Sequence, residues 1–292
     1  MTHPYSTAQY AATLSHVGRP FDVPEWGTHA IIRPIHGGGE DVIGTYPITV
    51  FKEDADVAGG LVRLKDAGFV SVTLVCDDFH RPDHLQGFDV VREFKSHFLH
   101  RGPGHSFAGG YCPHQEHRRK IRRAKRDVVC REIDLKTHLN EWIALYDTLV
   151  RRHILTGVHA FPRESFKSLA EIPGIVAIGG FVKDEMVCCN LWAVHDGRAH
   201  SHLVASNENG YELRAAYAVT DFAIRHFADC DVINLGGSAG SGDKEDGLAQ
   251  FKRGFSNETA PAWLCGAIMN REAYDLLSAG QESNEYFPQY RP

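Results

Sequence analysis

"GIVAIGGFVKDEMVCCNLWAVHDGRAHSHLVASN", residues 174–207, decides the fold. Three apolar runs, "GIVAIGGFVKD", "EMVCCNLWAVHD" and "RAHSHLVASN", follow one another with turn residues at Asp184 and Asp196-Gly197. Each run has strand length, and the short turns leave room only for antiparallel neighbours. A three-stranded meander is the expectation.

The flanks complete a pattern. Upstream lie a strand "VVCREID", an amphipathic helix "LKTHLNEWIALYDTLVRRH" and a shorter helix "RESFKSLAEI" closed by Pro173. Downstream come a long helix "YELRAAYAVTDFAIRHFA", a strand "CDVINLGG", a helix "GLAQFKRGF", a strand "AWLCGAIM" and a helix "REAYDLLSAG". From Val128 the order is β-α-α-β-β-β-α-β-α-β, a mixed α/β layered domain. The first 110 residues read as a helix "YSTAQYAATLSHVG", strands "HAIIRPI", "TYPITVF" and "VSVTLVCDD", a helix "DADVAGGLVRLKDAG" and a strand "REFKSHFLHR". The glycine-rich break "GPGHSFAGG" then suggests two domains, residues 1–112 and 113–270.

The 292 residues are 43% hydrophobic and 23% charged, ordinary globular values that suit two domains. A net charge of −6 argues against a general nucleic-acid coat protein. The seven cysteines form no C-x-x-C pair and mostly sit in apolar runs, as reduced buried thiols of a cytoplasmic protein do. The start of the chain has no basic-then-apolar leader, and "GIVAIGGFV" is too short to span a bilayer.

Against that acidic background, "EHRRKIRRAKRD" (residues 116–127) packs seven Arg or Lys into twelve positions. On a helix, Ile121, Ala124 and Val128 share one face and the cations cover the rest. Seven neighbouring cations repel one another unless an anion joins them. Arg118, Arg119 and Arg122 are the expected anion contacts, since a guanidinium fork matches phosphate bidentately. The alternative partner is internal, the acidic remainder of the chain.

In order and spacing, "HRRKIRRAKRD", "HSHLVASNENG" and "DVINLGG…DGLAQFKRGF" resemble the Fem-type (FemABX), BioF2-like branch of the GNAT acyltransferase superfamily. The resemblance covers about residues 114–270. It implies tandem GNAT-like domains with a degenerate N-terminal one, and a C-terminal tail, 271–292, that packs on the first domain. It also implies an acceptor cleft between the domains and a donor channel in the second. Members include peptidoglycan-bridge aminoacyltransferases, which take an amino acid from aminoacyl-tRNA, and relatives in secondary metabolism; the resemblance implies an amide formed with an amine acceptor, with acyl-CoA as the alternative donor.

The resemblance places Lys252, in "FKRGF", at the family's FK motif, where a lysine meets the donor and its developing charge. Phe251 would stand with it. In CoA-using GNAT enzymes the strand-to-helix loop reads roughly R/Q-x-x-G-x-G/A. Here it is Asn207-x-x-Gly210-x-Glu212, and the acid replaces a glycine beside any pyrophosphate. That tilts the expectation toward aminoacyl-tRNA as co-substrate over acyl-CoA, with no tightly bound cofactor. The other reading is an ordinary turn with Glu212 favoured by the helix dipole. Gly236 and Gly237, after a strand, allow close approach of a donor.

His202 is a candidate general base, with a substrate-assisted proton path as the alternative. Eighteen histidines raise the question of metal, but neither "CPHQEH" nor "HSH" finds a second cluster to close a zinc site, so no metal is expected. The acceptor reads as a small metabolite or peptide. The rival from another class is a non-catalytic module whose basic helix binds an anion or nucleic acid.

Overall fold

A computed structural model describes residues 2–77, 82–102, 111–239, 246–281 and 286–291. In chain order its elements are α1 (Ala8–Thr13), β1 (Arg19–Val23), β2 (Thr28–Pro34), β3 (Glu40–Gly44), α2 (Val57–Asp66), β4 (Ser71–Cys76), β5 (Val90–Arg101) and α3 (Gln115–Ala124). Then follow β6 (Val129–Ile133), α4 (Leu139–His153), α5 (Arg163–Leu169), β7 (Ile175–Val182), β8 (Glu185–His195), β9 (Arg198–Ser206) and α6 (Glu208–Glu212). The chain ends with α7 (Ala215–His226), β10 (Val232–Asn234), α8 (Gly247–Arg253), β11 (Glu258–Ile268) and α9 (Arg271–Ser278). This is a mixed α/β fold. It divides into two compact units, Tyr5–Lys95 with Pro261–Pro292 and Met1–Pro4 with Ser96–Ala260, so that β5 and β11 each cross from one to the other along the chain.

In the unit that holds the N-terminal strands, the order is β1-β2-β3-β4-β11. All pairs are antiparallel except β3 with β4. Trp26, Val72, Leu74 and Cys265 fill its core, and α9 closes a second cluster of Ile35, Val70, Tyr274 and Tyr290. Buried Asp41 gathers Arg33 and Arg291, which fastens the end of the described chain to β2 and β3.

In the other unit the order is β5-β10-β9-β8-β7-β6. The expected meander is present: β7, β8 and β9 pair antiparallel in sequence. Asp196 and Gly197 both take positive φ (45° and 69°), the conformation of a type I′ hairpin turn. At the other turn Lys183 carries the positive φ, beside Asp184. β9 and β10 run parallel, but their ladder has only three pairs, Arg198 to His200 against Val232 to Asn234. β9 continues to Ser206 while the other chain turns away.

Three expectations are corrected. Thr45–Phe51 is not a strand. It is buried irregular chain, with Thr49 N–H donating to Val75 O and Thr45 Oγ1 to Ile48 O. Pro47 has no N–H to give a ladder, and the strands form on either side of β2 instead, as β1 and β3. The helix expected from Tyr211 is two helices, broken where Arg214 takes φ +58°. The first helix is shorter than its pattern, a 3₁₀ turn at Pro4–Ser6 preceding α1. The expected glycine-rich break falls, over 103–110, outside the described residues, as does the loop at 240–245.

The basic stretch forms α3, and Ile121, Ala124 and Val128 dock in the core with α7. Its lysines and arginines part company. Lys125 Nζ donates to buried Asp221 at 2.6 Å, and Lys120 Nζ reaches the Tyr217 hydroxyl at 3.2 Å. Arg225, one turn on from Asp221, shares the same carboxylate. Asp221→Ala therefore removes the carboxylate that ties α3 to α7. Loss of charge-assisted bonds is expected to lower stability by about 2–3 kcal/mol, read as a lower urea midpoint with the m-value unchanged.

Candidate functional site

The site assembles where the β9–β10 ladder stops. After Asn234 the chain enters Leu235-Gly236-Gly237, and Gly236 takes φ +75°, a region only glycine visits freely. Leu235 N–H and Gly236 O bond to Phe98 O and N–H, so the turn is held against β5. α8 begins beyond, with Asp246 as N-cap accepting from Ala249 N–H at 2.7 Å. One turn later Lys252 sends its Nζ to Gly237 O at 2.6 Å. A Cβ on Gly236 would stand 3.2 Å from that Nζ. Lys252, Gly236 and Gly237 are thus brought together.

Histidines line the same place. His97 on β5 and His200 on β9 meet edge to face with ring centres 6.0 Å apart. Asn234, 3% exposed, reaches His97 Nδ1 with its amide at 3.1 Å. Burial, then neighbouring His97, His3, His202 and Lys252, hold His200 well below the usual histidine range. Next along β9, Leu203 opposes Leu191 and Ser201 opposes Trp192. His202 is therefore the extra residue of a β-bulge, a feature that re-aims a side chain locally. It packs edge-on against Phe161, and burial draws its pKa down to about 3. A base that weak is neutral at working pH and takes up a proton poorly.

α8 is fixed to the basic helix. His117 of α3 lies 2.9 Å from Phe251 O through Nε2, which must be the donor because a carbonyl can only accept. Gly254 makes this contact possible: a Cβ there would lie 2.2 Å from the His117 ring. Phe251 belongs to an aromatic cluster with Tyr217 (4.9 Å) and Phe255 (5.1 Å), so its ring packs α8 down. Arg118, Arg119 and Arg122 are exposed on α3. Arg118 Nη1 contacts Cys112 Sγ at 2.8 Å, and among the described residues no carboxylate pairs with Arg119, Arg122, Arg123 or Arg126.

Asn207 and Gly210 lie at the other end of β9. The strand end at Ser206 is six positions on from His200, roughly 20 Å. Asn207 caps α6, its Oδ1 accepting from Gly210 N–H at 2.8 Å and its amide donating to Glu185 at 3.0 Å. A Cβ on Gly210 would meet Val187 O at 2.1 Å, so close packing on β8 already requires this glycine. A cleft of about 560 Å³ opens beside it, lined by Thr148, Arg151, Arg152, Glu185, Asn207, Glu208 and Asn209. Arg152 pairs there with Glu208 at 3.1 Å. Among the described residues, no three His, Cys, Asp or Glu side chains are grouped to hold a metal ion, and no helix is long and apolar enough to cross a membrane.

His97 and Asn234 were missed in the sequence. They are 137 positions apart, and only the pairing of β5 with β10 joins them.

No family model and no curated sequence matches the chain. Solved structures do match. FemX aligns over 94% of this chain and 95% of its own, at 12% identity and TM-score 0.64. The C-terminal domain of a protein described as a lysylphosphatidylglycerol synthetase from Agrobacterium fabrum aligns at 13% identity and TM-score 0.64, over 92% of this chain and 89% of that one. L-PGS from Bacillus licheniformis aligns at 12% identity and TM-score 0.59, over 92% and 93%. The chain has the fold of this Fem-type, GNAT-like group.

Two outcomes follow from the geometry. Gly210→Ala is expected to cost about 1–3 kcal/mol by overpacking, seen in denaturant melts without any ligand. His202, neutral when folded and chargeable when unfolded, stabilises the protein fully above its ordinary pKa of 6.5 and loses that contribution as pH falls toward about 3. His202→Gln should flatten that acid limb in melts taken between those two pH values.

Proposed function

We propose that the chain is an acyltransferase that moves an aminoacyl group from aminoacyl-tRNA to an amine of a small metabolite or peptide. The observation that carries this is Lys252 held at Gly237 O, beside the buried histidines, where β9 and β10 part. The amine attacks the ester carbonyl, a C–N bond forms, and the C–O bond to the ribose breaks. The proton leaving nitrogen ends on the ribose oxygen. Between these events the carbonyl oxygen carries negative charge. A fixed, half-buried ammonium stabilises that charge more than it stabilises the neutral ester.

The likeness of fold to FemX and to proteins named for lysylphosphatidylglycerol synthesis supports an aminoacyl donor. The outward arginines support a polyanionic one. Arg118, Arg119, Arg122 and Arg123 stand as two i, i+4 pairs on α3, exposed where their guanidinium forks can meet successive phosphates. Because His117 fixes α3 to α8, a strand bound there is bound at a set distance from Lys252. The crowded start of α6, where Asn207 already occupies the Gly210 N–H, favours this donor over acyl-CoA.

The test is donor consumption with a panel of amines, using charged tRNA and, separately, acetyl-CoA. Loss of aminoacyl-tRNA is expected, falling about 10²–10³-fold in kcat for Lys252→Ala. Replacing Arg119, Arg122 and Arg123 by Gln should weaken tRNA binding and reduce its salt slope by about 0.7 per lost phosphate contact. Release of CoA with tRNA untouched would move the activity to acyl-CoA. Function that survives Lys252→Ala and vanishes with the arginines would make the chain a binding module.

A further inference from the structure

We infer that Asn234 is the positioning residue for Lys252, and that it is set in turn by one tautomer of His97. This rests on the reading of Lys252 as the charge stabiliser. The argument begins with an unambiguous donor. Gly236 N–H gives its hydrogen to Asn234 at 2.7 Å, so the atom it meets must be the amide oxygen. That fixes which way round the amide lies. Its NH2 therefore faces His97 Nδ1, 3.1 Å away, and Nδ1 must be the acceptor. The neutral His97 ring then carries its hydrogen on Nε2.

The consequences run toward the lysine. The bond from Gly236 N–H back to Asn234 spans two residues and closes an Asx turn, which stabilises the left-handed turn at Gly236. Gly237 O, the seat of the Lys252 ammonium, is the next carbonyl but one. At 3% exposure Asn234 has little water to replace a lost partner. A His97 ring with hydrogen on Nδ1 would face NH2 with N–H. It would push the amide out of the geometry that Gly236 requires. One side chain thus reads a histidine on β5 and shapes the turn that places the lysine of α8.

The experiment uses the full chain and two readouts. Histidine ¹⁵N shifts report the His97 tautomer, assigned with His97→Gln, and the Lys252 Nζ resonance reports the lysine's surroundings. Wild type should show an unprotonated Nδ1 and a protonated Nε2. Asn234→Asp keeps an oxygen for Gly236 N–H and sets a second oxygen against Nδ1, which should draw the hydrogen to Nδ1 and shift the Lys252 resonance. With a donor that is turned over, kcat should fall about 100-fold, the cost of a misplaced group, while KM for the donor stays near wild type. If Asn234→Asp does not fold, Asn234→Ser is read instead. Its hydroxyl cannot reach His97, so His97 should lose its single tautomer and Lys252 should again shift. A wild-type His97 protonated at Nδ1, or a folded variant whose Lys252 resonance stays put, overturns the inference. A wild type that consumes neither donor overturns the acyltransferase reading instead and leaves the resonances to decide this one.

Discussion

Lys252 sits on a helix of seven residues, and an ammonium on four methylenes has many places to go. A carbonyl limits them. Gly237 O can receive Nζ because the chain turns at Gly236 in a left-handed conformation that side chains disfavour. Add one methyl group there, and the strain of the turn is joined by a contact 3.2 Å from the ammonium. The parting of β9 from β10 follows from the same turn, since a chain that leaves the ladder at Asn234 cannot pair with β9 beyond His200. The end of the ladder and the seat of the ammonium both come from one left-handed residue.

Around that point the unit is tied together by contacts that cross between helices. His117 joins α3 to the Phe251 carbonyl, Lys125 joins α3 to Asp221 of α7, and the Phe251 ring packs on Tyr217 of α7. The three helices are thereby one body. In the proposed function a ligand held by the outer face of α3 would be held in a frame that also carries Lys252, so that binding energy could orient a reacting group.

Much of this is legible in the sequence. The meander of β7, β8 and β9 was readable because hydrophobic runs of strand length met turn residues that have a reason to turn. The docking stripe of α3 was readable because Ile121, Ala124 and Val128 repeat at helical spacing. Where reading failed, local pattern met a tertiary demand. "TYPITVF" has a strand's alternation, yet it is buried without a ladder, and Pro47 is one reason. Tyr211 to Ala228 has a helix's pattern, yet Arg214 breaks it. Gly236 and Gly237 were found through their place after a strand. Asn234, two residues earlier, looked like any strand-end polar residue, because its partner is 137 positions away.

The division between lysines and arginines in α3 bears on what the helix is for. A helix that needed cations only to satisfy the acidic remainder of the chain could point any of them inward. Here the inward work falls to Lys120 and Lys125, on Tyr217 and Asp221. The arginines keep to the outside, where water and salt weaken their mutual repulsion without removing it. Internal neutralisation accounts for the lysines and leaves that repulsion unexplained. An external anion with several negative groups in a row removes it, and it does so at a fixed remove from Lys252. In the proposed function the basic stretch and the FK motif are two parts of one donor site, the first to hold the carrier and the second the carbonyl.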